Sequence, residues 1–109
     1  MKIYRFKVQG SSEPYDITFS SEANTLKARC TCPAGENGLH CKHRIEIMRG
    51  KTSSILSGNE NQVAEIVQLM KGTDLEKMFL QYEEAERTYD FAQKQFAKAK
   101  KALAKAMRG

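Results

Sequence analysis

All the cysteines and histidines of this 109-residue chain, three and two in number, lie between residues 29 and 44. Their order is Cys30-x-Cys32, an eight-residue loop, and Cys41-x-His43, with His40 directly before the second pair. Thiolates and imidazoles are the ligands that Zn²⁺ prefers, and a closed structural site needs four of them. The spacing therefore predicts one structural zinc ion bound by Cys30, Cys32, Cys41 and His43.

Two alternatives to this ligand set exist. His40 is an alternative fourth ligand, although it adjoins Cys41 and would form a strained chelate. A disulfide between two of the cysteines would leave the third one unpaired. A catalytic zinc would keep one coordination position open for water, and neither Glu36 nor Glu46 belongs to a recognisable catalytic group. We therefore expect a structural centre, no enzyme activity and no small-molecule substrate.

The first ligand pair is expected at the end of a small β-sheet. Apolar and polar residues alternate in three stretches that are separated by turn-forming clusters. The stretches are residues 4–8, 15–19 and 26–30, and the clusters are residues 10–14 and 20–24. Cys30 and Cys32, two positions apart at the end of the third strand, would project to the same side. The predicted fold is α+β, with a three-stranded antiparallel meander and a short helix around the zinc ion.

A helix is expected directly after the second ligand pair, over residues 42–49. Positions two apart on a helix point about 200° from one another, so Cys41 and His43 cannot share an ion from a helix interior. The helix should therefore begin between them, with Cys41 at or before the cap. The preceding loop contains Pro33, Gly35 and Gly38, which favour a tight reversal.

The pattern CxCPx7CxH, here Cys30-Thr-Cys32-Pro33 to Cys41-Lys-His43, resembles the SWIM zinc finger. The strands and the short helix of residues 1–50 also resemble the ββα outline of that family. The resemblance implies a zinc-stabilised module of the kind found in bacterial helicase-associated proteins, transposases and eukaryotic signalling proteins. In those proteins it is linked to DNA binding or to protein contacts. The resemblance ends near residue 50, and we treat residues 51–109 as a second, helical domain.

The C-terminal half is predicted to form a helical hairpin with a long second arm. One helix is expected over residues 60–71 with Asn59 as its N-cap, and the capping box Thr73–Glu76 opens the long arm. From Leu75 to Ala106, apolar residues are spaced alternately three and four apart, which is the heptad pattern of a coiled coil. Seven of them are predicted to form an oligomer contact: Tyr82, Ala85, Tyr89, Ala92, Phe96, Ala99 and Leu103.

The apolar residues spaced three and four apart from Leu75 to Ala106 form one stripe, here called the heptad seam. The partner of this seam is expected to be a second copy of the chain or another protein. Acidic residues come early in the long helix and basic residues come late. This order suits the helix macrodipole and favours antiparallel pairing, in which the acidic half of one helix meets the basic half of its partner. The alternative is a long helix that packs on the two short helices of its own chain.

Composition narrows the location and the functions. The net charge is +5, and no apolar run approaches the roughly 20 residues of a membrane span. The N-terminus lacks the apolar core of a secretory signal, and clustered cysteines suit a reducing compartment, so we expect a cytoplasmic protein that does not contact membranes.

Two functions remain, and they are not exclusive. The first is an interaction or adaptor module that oligomerises through the C-terminal helix. The second is DNA binding through the outer face of the sheet and the helix start, although the aromatic residues of the strands fall in the inward phase and offer no stacking platform. The basic residues expected to contact phosphates are Arg5, Lys7, Lys27, Arg29, Lys42 and Arg44, together with the basic C-terminus.

Overall fold

The alternating stretches form a three-stranded antiparallel sheet in the order β1-β2-β3. In the computed structural model, which describes residues 1–109, the strands are β1 Lys2–Val8, β2 Tyr15–Glu22 and β3 Thr25–Cys30. On one face the apolar side chains are buried, and the rings of Phe6 and Phe19 meet edge to face with centroids 6.2 Å apart. The predicted meander is confirmed.

The turn between β2 and β3 is shorter than the sequence predicts. Glu22 pairs with Thr25, so only Ala23 and Asn24 form the turn, and residues 20–22 belong to the strand. Ala23 has a φ of 52°, in the left-handed region that tight two-residue hairpin turns require. The serine-rich sequence resembles a turn, but its side chains lie half-buried along the sheet.

Five helical segments follow the sheet. They are α1 Pro33–Glu36, α2 Lys42–Met48, a 3₁₀ turn at Glu60–Gln62, α3 Val63–Met70 and α4 Asp74–Arg108. Helices α2 and α3 contact each other and β3. Their buried side chains, which complete the core beneath the sheet, are Ile45, Ile47, Met48, Val63, Ile66 and Met70. The fold is therefore α+β, as predicted.

The segment between α2 and α3 protects the outer edge of β1. The backbone N–H of Gln9 donates to the carbonyl of Ser54 at 2.8 Å, and that of Leu56 donates to the carbonyl of Lys7 at 2.7 Å. The Asn59 side-chain amide then donates to the carbonyl of Arg5 at 2.8 Å. This pairing satisfies polar groups that an exposed edge strand would present to other chains. Asn59 precedes the 3₁₀ turn as predicted, but its side chain makes no capping bond.

The chain divides into two compact units, residues 1–76 and residues 77–109. The first unit contains the sheet together with α1, α2, the 3₁₀ turn and α3. Residues 51–76, which the sequence assigns to the helical domain, are part of this first unit. They belong to this unit because residues 54–59 form hydrogen bonds with the edge of β1, and because the apolar face of α3 packs against the sheet.

Helix α4 begins at the predicted capping box. The backbone N–H of Glu76 donates to the Thr73 hydroxyl at 3.2 Å, and the Glu76 carboxylate accepts from the backbone N–H of Gly72 at 3.1 Å. The reciprocal bond is thus shifted by one residue from the usual box. None of the 35 residues of α4 is buried. No helix of the chain combines the length and the apolar character that a membrane crossing requires.

Candidate metal centre

The first ligand pair lies where β3 gives way to α1. Cys30 is the last residue of β3, and Cys32 is the N-cap of α1, whose first residue is Pro33. The Cys32 sulfur accepts a hydrogen bond from the backbone N–H of Gly35 at 3.3 Å. The sequence placed Cys32 at the end of the strand, and this prediction is wrong, because Cys32 lies beyond β3. The short helix turns its buried sulfur back toward Cys30.

Gly35 allows α1 to lie against the end of β3. A Cβ atom on this residue would stand 2.3 Å from the carbonyl oxygen of Cys30, a distance that no side chain tolerates. Thr31, between the two cysteines, is fixed to the neighbouring strand by two hydrogen bonds with the backbone of Asp16, at 3.0 and 2.9 Å. Both features fix the path of the chain between the two sulfurs.

The second ligand pair confirms the geometric prediction made from its spacing. Cys41 is the N-cap of α2 with extended backbone angles, and the helix begins at Lys42. His43 lies in the first turn, half-buried, with its ring 5.2 Å from the ring of Tyr15 between centroids. Because Cys41 is outside the helix, its sulfur and the His43 imidazole can point to the same place.

The four predicted ligands lie together. One ligand atom from each of Cys30, Cys32, Cys41 and His43 falls within 4.8 Å of all the others. In a tetrahedral zinc site with Zn–S bonds of about 2.3 Å, sulfur atoms stand about 3.8 Å apart, so the cluster has the size that one ion bridges. The fourth member is His43 and not His40, which is exposed.

An unpartnered nitrogen shows that the cluster fits a metal ion. The Nδ1 atom of His43 is buried and has no hydrogen-bond partner. A buried polar atom without a partner destabilises the folded state unless something else satisfies it. A cation bound by the three neighbouring sulfurs would do so, and imidazole nitrogen with thiolate sulfur is a zinc ligand set.

Burial and hydrogen bonds shift the pKa values of the free ligands in different directions. Burial raises the pKa of the Cys30 thiol to about 12. Burial also opposes ionisation of Cys32, but hydrogen bonds from Gly35 and from the other two cysteines outweigh it and lower the pKa of that thiol. Burial, with Lys42 nearby, lowers the pKa of His43 and so favours the neutral imidazole that a metal ion requires. Zinc, whose charge deprotonates a coordinating thiol, would displace the remaining protons.

A family comparison agrees with this geometry. Residues 6–45 match the family model of the SWIM zinc finger. This part of the chain is a SWIM zinc finger. Its four ligands form a structural site for one zinc ion, and the module is a binding module. Comparison of the chain with curated proteins and with solved structures found no match.

Arg44 is part of the support of the SWIM zinc site. The sequence grouped it with the residues expected to contact DNA. Its guanidinium donates to the Cys41 sulfur at 3.1 Å, to the carbonyl of Ala28 at 3.0 Å and to the carbonyl of Leu39. These three bonds direct the side chain toward the centre and away from a solvent-facing position.

The other candidate DNA contacts remain on the surface. Arg5, Lys7, Lys27 and Arg29 are exposed on the outer face of the sheet. Lys7 is bound to the Asp16 carboxylate at 3.0 Å, whereas the other three have no ion-pair partner. Arg5 and Arg29 flank Thr18 in one row across the three strands. Lys42 is exposed at the start of α2.

The predicted oligomer contact lies in the second unit. Of its seven residues, Tyr82 is half-buried and donates its hydroxyl to the Glu86 carboxylate at 2.9 Å, and the other six are exposed. All seven lie on the continuous helix α4. The heptad pattern therefore occurs on one helix, as the sequence predicts.

Proposed function

We propose that the protein is a non-enzymatic interaction module, in which a SWIM zinc finger serves as the recognition head and α4 joins two copies. The four-ligand site leaves no position for a substrate or a reactive water, which supports a structural role for the zinc ion. The heptad seam supplies the second element of the proposal. A dimer of such chains carries two identical heads, which increases the apparent affinity for a partner with two sites.

The exposure of the seam is the observation that carries the proposal. Tyr89, Phe96 and Leu103 are 61%, 63% and 60% exposed, and no residue of α4 is buried. In proteins, most helical stability comes from packing of an amphipathic face and not from the helix propensity of the residues. A helix with a sustained heptad pattern of exposed apolar residues favours a partner helix.

Sedimentation velocity over a range of concentrations tests the proposal. We expect the mass of a dimer for the unaltered chain. Ala92→Glu places a charge in the seam and should give a monomer that keeps its zinc. Ala97→Glu is the matched control, because it makes the same change on the same helix outside the seam. A monomer at every concentration would rule out self-association.

Nucleic-acid binding is the second candidate function. The supporting observation is that Arg5, Lys27 and Arg29 are exposed on one sheet face without ion-pair partners. Basic groups in this arrangement bind phosphates without reading sequence. No aromatic side chain of the strands faces the same side, which argues against stacking on bases.

Binding to random-sequence duplex DNA, measured by fluorescence anisotropy at several salt concentrations, tests this second candidate. A phosphate-binding face predicts affinity that falls steeply with salt and is reduced in Arg5→Gln/Arg29→Gln. Lys51→Gln/Lys71→Gln removes the same charge elsewhere on the surface and is the control. If both double variants lose affinity equally, or if low salt gives no binding, the sheet face has no specific role.

A further inference from the structure

We infer that α4 pairs with a second copy of itself in antiparallel orientation, in the register that places Met78 opposite Leu103 of the second copy. The inference rests on the proposed function, because it specifies the geometry of the proposed dimer. It is carried by three independent features of the helix: the sizes of its seam residues, its length and its charges.

The sizes of the seam residues distinguish the two orientations. One of the two apolar heptad positions holds a large residue in every heptad. The other holds alanine in every heptad after the first. The large set is Leu75, Tyr82, Tyr89, Phe96 and Leu103, and the second set is Met78, Ala85, Ala92, Ala99 and Ala106. In a parallel pair each set faces itself, so layers of two aromatic rings alternate with layers of two methyl groups. One interhelical distance cannot suit both kinds of layer.

Antiparallel pairing removes this conflict. Reversing one helix makes each large residue face a member of the second set, so that bulky and small side chains alternate on both sides of the seam. Tyr89 then faces Ala92, Phe96 faces Ala85 and Tyr82 faces Ala99 of the second copy. Every layer between these residues has one ring and one methyl group, and the helices can approach evenly along their length.

The length of the helix selects one register. The pairing of Tyr89 with Ala92 puts the two-fold axis between residues 90 and 91, and α4 runs from Asp74 to Arg108. The axis therefore passes through the middle of the helix, and nearly all of both helices overlap. A shift by one heptad would leave about 10 Å of helix unpaired at each end.

The charges favour the same arrangement. Residues 74–90 carry six carboxylates and two basic side chains, and residues 91–108 carry six basic side chains and no carboxylate. A parallel pair would place like halves side by side, whereas the antiparallel pair places opposite halves together. In this register Glu83 stands level with Lys98 of the second copy. Charge patterns of this kind specify the orientation of a pair by penalising the alternative.

The arrangement has a consequence for the recognition heads. The starts of the two α4 helices would lie at opposite ends of the pair, separated by about 50 Å along its axis. The two zinc fingers would thus be joined to opposite ends of one rod. The dimer would connect two distant sites on one partner, or two partner molecules, and would not combine both heads into one surface.

Disulfide trapping tests the orientation and the register. Met78→Cys and Leu103→Cys are prepared as separately tagged, zinc-saturated full chains, mixed, and oxidised under mild conditions. We expect a cross-linked heterodimer from the mixture and no cross-linked product from either variant alone. Ala85→Cys mixed with Leu103→Cys is one heptad out of register and is the control. The unaltered chain, whose cysteines bind zinc, should not cross-link.

Each other result has a defined meaning. Cross-linking of Leu103→Cys with itself would overturn antiparallel pairing, and cross-linking in the control mixture would overturn the register. Selective cross-linking must also appear with Tyr82→Cys and Ala99→Cys, a second pair in the same register, in case one substitution weakens the helix. A chain that sediments as a dimer but traps neither pair contradicts this inference alone. A chain that sediments as a monomer contradicts the proposed dimer itself.

Discussion

Arg44 donates a hydrogen bond through Nε to the sulfur of Cys41 at a distance of 3.1 Å. The two residues lie one turn apart at the start of α2, with Cys41 outside the helix as its cap. A zinc ion bound by three thiolates and one neutral imidazole would give the centre a net charge of −1. The positively charged guanidinium lies next to this centre. Arg44 also binds backbone carbonyls of β3 and of the loop before α2. It therefore links the metal centre to both of its flanking elements.

Removing this guanidinium should weaken zinc binding. Supporting groups around metal ligands typically contribute 10- to 100-fold in metal affinity, so we expect a loss of about tenfold or more for Arg44→Gln. The zinc affinity of Arg44→Lys should lie between those of the unaltered chain and Arg44→Gln, because lysine keeps the charge but not the planar fork of donors. Competition with a chromophoric chelator measures the affinity. Lys42→Gln, an exposed neighbour, is the control, and an equal loss there would mean that general charge explains the effect.

Gly35→Ala should destabilise the zinc finger although alanine is a good helix former. The added methyl group would meet the carbonyl oxygen of Cys30 and force α1 away from the end of β3. Forced overpacking of this kind costs about 1–3 kcal/mol in the free energy of unfolding. Thermal melting of the zinc-bound protein gives the measurement. Glu36→Ala, at an exposed site on the same short helix, should melt at the same temperature as the unaltered chain. If Gly35→Ala also melts at that temperature, the steric argument is refuted.

Zinc removal should unfold the sheet and leave helical signal from α4. Binding of structural zinc contributes on the order of 10 kcal/mol to the folding of small domains, and three buried thiols without the ion cannot replace it. Far-UV circular dichroism before and after addition of a strong chelator should lose the β contribution, with recovery on addition of zinc. An unchanged β signal and unchanged melting would contradict a structural role for the ion.

The sequence predicted the parts of the structure that depend on local periodicity. Alternation in Tyr4, Phe6 and Val8 was sufficient to place β1, because a strand with one buried face repeats every second residue. The start of α2 followed from the two-residue spacing of Cys41 and His43, which excludes a shared ion inside a helix. Both are constraints that act within a few residues, and the sequence states them directly.

The features that the sequence did not predict depend on distant contacts. Helix α1 is only four residues long, and Pro33 and Gly35 are as typical of a tight turn as of a single turn of helix. The inward direction of Arg44 depends on the carbonyl of Ala28, sixteen residues away in the chain. The edge pairing of Ser54 with Gln9 also has no local signal, because its residues are polar and irregular.

These distant contacts lead to a prediction about where the zinc finger can be cut from the chain. A chain of residues 1–76 should fold as a zinc-bound monomer, because it keeps every element of the first compact unit. A chain of residues 1–50 should bind zinc weakly and aggregate. It would lack the cover of the β1 edge and the side chains of α3, of which Ile66 is fully buried against the core. Exposed strand edges and apolar faces favour association between chains.

Size-exclusion chromatography with zinc analysis compares the two fragments. We expect one zinc ion per chain and a monomeric elution volume for residues 1–76 only. Ile66→Asp in the longer fragment is the matched test of mechanism, since it keeps the edge cover and removes the apolar contact of α3. Equal zinc content and equal melting for the two fragments would mean that residues 51–76 are dispensable, and that the zinc finger proper ends near residue 50.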